Sequence, residues 1–368
     1  MNAERLRIEI EGKELPQIHD DLIELEVELD DELAAQFRLH LSLPQQQDNT
    51  WAYLDDESLR VWQQVTIKAD FEDADEELFV GVITSIRPLF EANATRCTIE
   101  ICGLDNSVLM DRVERRKDWP NKKDSEIADE LFARYGLTPE VEDTTVVHDE
   151  AISTIIQCET DIQFLDRLAL RNGFECYVEG TTGYFRAPRL DEPPQPTLAI
   201  HCDEETNLVR FSVEVDALAS APVTMVQLDR ASKELIDVQV DAGQQPLLGR
   251  VDANGLLGAG IEPGLIVLRQ AVTTGAAEME ALCRSLYQQG QWFVNGEGEI
   301  AGNAYGHVLL PRRTVAIKGI GETYGGIYYV RHVTHRFTTG SYTQHFKVRR
   351  NALLPRGDEP FAAAGGLL

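Results

Sequence analysis

The sequence is poor in positive charge: 34 Lys and Arg stand against 62 Asp and Glu in 368 residues, a formal charge of -28. A surface this acidic repels phosphate backbones and anionic lipid, which argues against specific nucleic-acid binding. Long hydrophobic runs are missing as well. Leu265-Ile266-Val267-Leu268 is strand-sized, far short of the roughly 18 apolar residues that cross a bilayer, so no membrane insertion by this chain is expected. Met1-Asn2-Ala3-Glu4-Arg5 opens without an apolar leader, and the expectation is a cytoplasmic product without a signal peptide. The six cysteines (Cys97, Cys102, Cys158, Cys176, Cys202, Cys283) form no CxxC pair and have no His at zinc-ligand spacing, so neither a zinc site nor a disulfide framework is expected. Aromatics are only 7% of the chain.

What is present is apolar material, 43% of residues. That is enough to offset ordering entropy over two or three compact units, which rules out a disordered acidic tail. The N-terminal third alternates at period two. Leu6, Ile8 and Ile10 oppose Arg7, Glu9 and Glu11; Ile23, Leu25, Val27 and Leu29 oppose Glu24, Glu26, Glu28 and Asp30. Phe37, Leu39, Leu41 and Leu43 follow as the return strand of a hairpin, and further strands are expected at 65–71, 78–86 and 96–102. About six strands with no intervening helix indicate a small antiparallel barrel.

Helical periodicity begins after Arg112. Ile127, Ala128, Leu131, Phe132 and Tyr135 stop at Gly136, and Ile162, Leu165, Leu168 and Ala169 stop at Asn172-Gly173, with Thr160 and Gln163 as a candidate capping box. A hairpin around Gly180-Thr181-Thr182-Gly183 completes an α+β unit, which Pro193, Pro194 and Pro196 are expected to end. Strands resume at 209–215, 223–228 and 235–240; a glycine-rich stretch leads to a helix carrying Met279, Leu282, Cys283 and Leu286 with Thr274 as candidate cap. The last strands are expected at 314–318, 327–336 and 342–349.

An internal repeat connects the two strand-rich parts. Val65-Thr66-Ile67-Lys68 matches Val315-Ala316-Ile317-Lys318 at an offset of 250, and the same offset sets Val80, Ile83 and Thr84 on Val330, Val333 and Thr334. Ile99-Glu100-Ile101 then falls on Phe346-Lys347-Val348. The fold class expected is mainly β with α+β insertions. Two similar antiparallel barrels (1–113, and 199–245 with 306–356) flank an α+β domain at 114–198, with an inserted glycine-rich and helical segment at 246–305 and a flexible tail at 357–368.

No constellation for bond chemistry stands out. Acidic pairs such as Asp75-Glu76-Glu77 are inevitable among 62 acids, and nothing places two carboxylates across an apolar pocket. His332 and His335 have opposite strand parity, so they and His345 do not make a metal site. Gly319-Ile320-Gly321 with Gly325-Gly326 runs from strand to strand, not strand to helix, which is a hairpin and not a phosphate loop. The expectation is no enzyme, no metal and no cofactor.

Glu159-Thr160-Asp161-Ile162-Gln163-Phe164-Leu165-Asp166-Arg167-Leu168-Ala169, then Gly173-Phe174-Glu175-Cys176-Tyr177, and the closing Gly326-Ile327-Tyr328-Tyr329-Val330 through Val333-Thr334-His335 to Gly340-Ser341-Tyr342, resemble the hub proteins of contractile tails. These are the phage late control D family, the hub part of VgrG spikes, and their relatives in extracellular injection systems. The resemblance implies a baseplate hub: a homotrimeric ring that adapts a hexameric tail tube, or its initiator, above to a trimeric spike below, among other baseplate proteins. It also implies cytoplasmic assembly followed by residence in the finished particle. No oligonucleotide-type barrel or β-helix follows the second barrel, so the spike is expected as a separate polypeptide. The alternative is a carbohydrate-binding or carbohydrate-degrading phage-particle protein.

Charge refines the hub reading. Residues 1–112 carry 26 acids and 9 bases, a net -17, whereas 311–368 carry 3 acids and 9 bases, a net +6. Alternation of the two barrels around a ring would bring unlike charges together at subunit boundaries, with Arg349 and Arg350 facing Glu24, Glu26 and Glu28 as candidate contacts. The same acids are alternative candidates for the border of a central passage.

Overall fold

The computed structural model describes residues 6–55, 59–70, 75–152, 154–218, 221–229, 232–257, 261–262, 264–269, 273–359 and 361. Of the tail expected at 357–368, residues 360 and 362–368 lie outside them. The first unit contains β1 (Leu6–Ile10), β2 (Lys13–Glu14), α1 (Ile18–Asp21), β3 (Leu22–Asp30), β4 (Gln36–Ser42), β5 (Gln64–Asp70), β6 (Asp75–Leu89) and β7 (Thr98–Asp105). Alternation sorts its faces: Leu25, Val27, Leu39, Leu41, Ile67 and Ile101 turn into one apolar core, and the polar residues between them face outward.

The middle unit contains β8 (Lys117–Trp119), α2 (Asp124–Arg134), β9 (Thr138–Val141), β10 (Ile155–Gln157), α3 (Asp161–Asn172), β11 (Glu175–Glu179) and β12 (Thr182–Arg186). Its two small sheets and two long helices close over Trp119, Phe132, Phe164, Leu168 and Phe185. Gly173 ends α3 at φ 70°, a conformation that costs glycine nothing. The capping box expected at Thr160 and Gln163 does not form. Thr160 Oγ1 and Gln163 Nε2 both donate to Asp111 Oδ1, at 2.6 and 2.9 Å, because a carboxylate is a stronger acceptor than either box partner.

The remainder contains β13 (Gln195–Ala199), β14 (Leu208–Val215), β15 (Val223–Leu228), β16 (Leu235–Val240), β17 (Ile266–Leu268), α4 (Ala276–Gly290), β18 (Val294–Ala301), α5 (Gly302–Tyr305), β19 (Thr314–Lys318), β20 (Gly326–Thr338) and β21 (Tyr342–Arg350). Pro196 does not end the ladder as expected; it lies in β13, where the register with β19 breaks between Gln195 and Leu198, a place that tolerates a missing donor. The cap of α4 is Gly275 and not Thr274, whose backbone N–H donates instead to Glu278.

Two strands fall outside their expected unit. β15 pairs with β16 on one side and β17 on the other, and the three pack under α4 in a core of their own around Met225, Val240, Met279 and Cys283. The strand that pairs with β14 is β18, inside the segment expected to be an insertion. Its inward positions include Gly296 and Gly298, where a Cβ would meet the Phe211 ring at 2.7 Å and the Phe346 ring at 2.6 Å. Neighbouring aromatics fill the space that side chains of β18 would take, so the strand forms without apolar alternation.

With β18 in place, the repeat is a repeat of sheets. The first unit orders its strands β3-β4-β7-β6-β5-β1 and the second β14-β18-β21-β20-β19-β13. Bulges fall at matching places: between Leu22 and Glu24 on β3 and between Leu208 and Arg210 on β14, and around Thr84 on β6 and Arg331 on β20. Trp62 (φ 71°) and Arg312 (φ 60°) are left-handed non-glycines at equivalent corners. Trp62 N–H donates to Ile83 C=O and Ile83 N–H to Gln63 C=O, mirrored by Arg312 with Val330 and Val330 with Arg313. These ladders correct the alignment read from sequence. Val65 does match Val315, but Ile83 matches Val330 and Thr84 matches Arg331, three residues from the expected partners, and Ile101, not Ile99, matches Phe346. Loop length absorbs the slip, since loops tolerate it at little free-energy cost. One pair differs: β1 runs antiparallel to β5 whereas β13 runs parallel to β19. The two units are fused edge to edge by antiparallel β20 and β3, giving one 13-stranded sheet.

Candidate assembly interface

Eight consecutive strands, β14-β18-β21-β20-β3-β4-β7-β6, present one continuous polar face. Cross-strand neighbours on it carry charges of both signs. Arg87 donates to Glu100 at 2.7 Å, Arg38 to Glu26 at 2.5 Å, Arg210 to Glu299 at 3.1 Å, and Arg336 to Glu24. Burial differs between partners, so each pair contributes at most about 1 kcal/mol; the pattern fixes register more than stability.

Among the described residues, none of the charge pairs expected between subunits forms within the chain; of the three acids, Glu24 faces across the seam between β20 and β3, and Glu26 and Glu28 face β4 of their own unit. Glu24 pairs with Arg336, Glu26 with Arg38, and Glu28 accepts from Gln36 Nε2. Arg349 lies 3.0 Å from Asp31, with its guanidinium 4.5 Å from the centre of the Trp292 ring. The acidic first unit does meet the basic second unit, but inside one chain. Arg350 is fully buried, donating to the carbonyls of Leu248 at 2.9 Å, Gly325 at 3.0 Å and Leu354 at 2.9 Å. Burial pulls its pKa below the ordinary arginine value. A side chain so enclosed ties strand ends together and offers nothing to a partner subunit, so Arg350 is removed from the candidate contacts. At His332, Asp30 accepts 3.0 Å away; although burial opposes it, the histidine and the backbone N–H groups of Glu32 and Leu33 hold the Asp30 pKa down at about 2.

Among the described residues, two edges of the eight-strand face stay open. Past the bulge at Thr84, β6 pairs with β7 on one side only, whereas the matching half of β20 pairs with both β21 and β3. At the far end, β14 pairs among the described residues with β18 alone. Ile86, Pro88, Val213 and Val215 beside these edges are only half-buried, and Phe90 is 53% exposed. The sequence does not single out these residues, because alternation tells which face a residue takes, not whether its strand has a neighbour.

The other constellations are closed or dispersed. His332 and His345 lie on the polar face, while His335 is in the core with Nδ1 2.9 Å from the Tyr342 hydroxyl. No group of three or more His, Cys, Asp or Glu among the described residues is placed to hold a metal ion. Arg312 lies over the Tyr177 ring at 4.0 Å, in a cleft between the middle unit and the sheet that also takes in Arg186, Glu76 and Glu77. Asp124, His148, Arg171 and Glu278 form a tight network that seats α4 on α3.

The arrangement defines a class: a duplicated, edge-fused β platform with an α+β insertion, the fold of phage and secretion tail proteins. The 43 kDa tail protein of prophage MuSo2 from Shewanella oneidensis aligns at a TM-score of 0.66 and 14% identity over 95% of this chain and 99% of its own. A tail protein from Neisseria meningitidis MC58 aligns at 0.63 and 12% over 94% and 96%. An E. coli component of the type VI secretion system, described as structurally similar to the T4 bacteriophage tail proteins gp27 and gp5, aligns at 0.57 and 10% over 94% and 76%. The tail-hub resemblance read from sequence thus holds at the level of fold. The chain belongs to the family described as the Alg8 N-terminal domain, which matches residues 2–339. No curated protein matches by sequence. No helix among the described residues is long and apolar enough to cross a membrane.

Proposed function

We propose that the chain is the hub of a contractile-tail or injection-system baseplate, a homotrimeric ring that adapts a hexameric tube to a trimeric spike. The repeat of strand order, bulges and left-handed corners carries the reading. Three chains with two matching units each offer six quasi-equivalent positions to a sixfold tube while keeping threefold symmetry for a spike. The tail and VgrG-containing structures of the same fold support it. In this reading the eight-strand polar face of each protomer lines the passage, and the hub acts by geometry, without bond chemistry. Its partners are two further copies of itself, a separate spike, the tube or its initiator, and neighbouring baseplate proteins. It is assembled in the cytoplasm and then resides in the particle.

The test is native mass combined with imaging of the purified chain. A particle of three chain masses with a central opening is the expected result. A stable monomer, or a dimer without an opening, overturns it.

A further inference from the structure

We infer that the junction between copies is a strand ladder in which the open half of β6 pairs antiparallel with β14 of the next copy, with Arg87 opposite Glu214 and Ile86 opposite Val215. That the partner is a second copy rests on the ring reading; the register comes from the chain's own internal seam. Inside the chain β20 pairs with β3, with Val333 opposite Leu29, Thr334 opposite Glu28 and Phe337 opposite Leu25. The bulges at Thr84 and Arg331 set β6 against β20, and the shared bulge position near the start of β3 and β14 sets those two strands against each other. A further match supports the second step: Asp30 Oδ1 accepts from Glu32 N–H and Asp216 Oδ1 from Leu218 N–H, the same turn at the end of each strand. Carrying the internal pairs through both equivalences gives Ile86 opposite Val215, Arg87 opposite Glu214, Pro88 opposite Val213 and Phe90 opposite Phe211.

Chemistry that played no part in this transfer agrees with it. Arg87 meets Glu214 and, four residues on, Glu91 meets Arg210, two unlike pairs on the polar face. The alternate positions are apolar on both strands and incompletely covered in the single chain. A slip of one residue would set the apolar row of one strand against the polar row of the other. A slip of two would set Glu91 opposite Leu208 or Ser212. Because the chain carries both halves of the joint at opposite ends of the eight-strand face, the contact is head-to-tail, the kind that generates a ring where the rotation between copies closes.

Paired cysteines in the full-length chain test the register. Arg87→Cys with Glu214→Cys should give covalently linked multimers on mild oxidation, at least tenfold more than Arg87→Cys with Val213→Cys, with the parent chain setting the background from exposed Cys158. Native mass is measured on each. If the variants remain multimeric and the two pairs link equally, or the 87/213 pair links better, the register is overturned while the ring stands. A monomeric parent chain overturns both.

Discussion

Phe337 and Phe90 hold the same position in the two β units and meet opposite fates. Phe337 is 2% exposed, stacked on Tyr342 with ring centres 4.2 Å apart and set opposite Leu25 of the neighbouring unit. Phe90 is 53% exposed, with an edge contact to Trp51 as its ring partner. Phe337 lies within β20 and Phe90 directly follows β6, and the difference is in what lies beside them: β20 has β3, and the end of β6 has an open edge. One duplicated surface is thus covered inside the chain in one unit and exposed in the other; in the proposed ring the exposed copy is the joint.

Truncating both rings should separate these roles. Phe337→Ala removes a buried aromatic and leaves a cavity under β20 and β3, costing about 3–5 kcal/mol of folding stability in urea unfolding. Phe90→Ala should cost the isolated chain under about 1 kcal/mol, yet lower the fraction assembled at a fixed concentration. Equal losses of folding stability in the two variants would mean that the edge beside Phe90 is covered in the single chain and is no open joint.

Much of this comparison is legible in the sequence and part of it is not. The alternation of Glu24 to Asp30 and the match of Val65-Thr66-Ile67 to Val315-Ala316-Ile317 expose the strands and the duplication, because burial of one face imposes a period that survives divergence. β18 stays hidden, since Gly296 and Gly298 carry no apolar side chain and are chosen by the rings of Phe211 and Phe346 on other strands. Arg350 misleads in the other direction. A terminal Arg-Arg pair reads as surface charge, whereas its second member is enclosed by carbonyls from segments about 25 and 100 residues away, a relation that no local pattern records. The open edges are illegible for the same reason: pairing is a property of two strands.

Acid should act on the internal seam more than on the joint. His335, opposite Val27 at the seam, stands where β6 has Pro88, and burial pushes its pKa down to about 3. Above the ordinary value near 6.5 both folded and unfolded chains hold it neutral; below that the unfolded chain takes up a proton that the fold refuses. This contribution to stability is therefore complete above pH 6.5 and falls by about 1.4 kcal/mol per pH unit as the pH drops toward 3. The stability difference between the parent and His335→Gln should shift by about 2 kcal/mol between pH 6.5 and 5, the variant losing less on acidification. Parallel curves would show that the imidazole is not kept neutral by the seam.

Pro88 gives the finest distinction between seam and joint. Ile83 N–H faces β5, donating to Gln63 C=O, and alternation past the bulge at Thr84 turns the amide position of residue 88 to the open edge. A proline there cannot donate, so a joint with the register of the seam has one hydrogen bond fewer than the seam itself, and an unassembled chain offers a poorer template to stray strands. Pro88→Val restores the donor and a good strand former. Each joint should gain about 0.5–1.5 kcal/mol, which over three joints reads as a roughly four- to fortyfold fall in the concentration at which rings dissociate on dilution, with the unfolding midpoint of the separated chain almost unmoved. Off-register aggregates should rise in the same samples, since the edge has lost its guard. Weaker assembly without aggregation would place Pro88 outside the joint, and with it the proposed pairing of Val213.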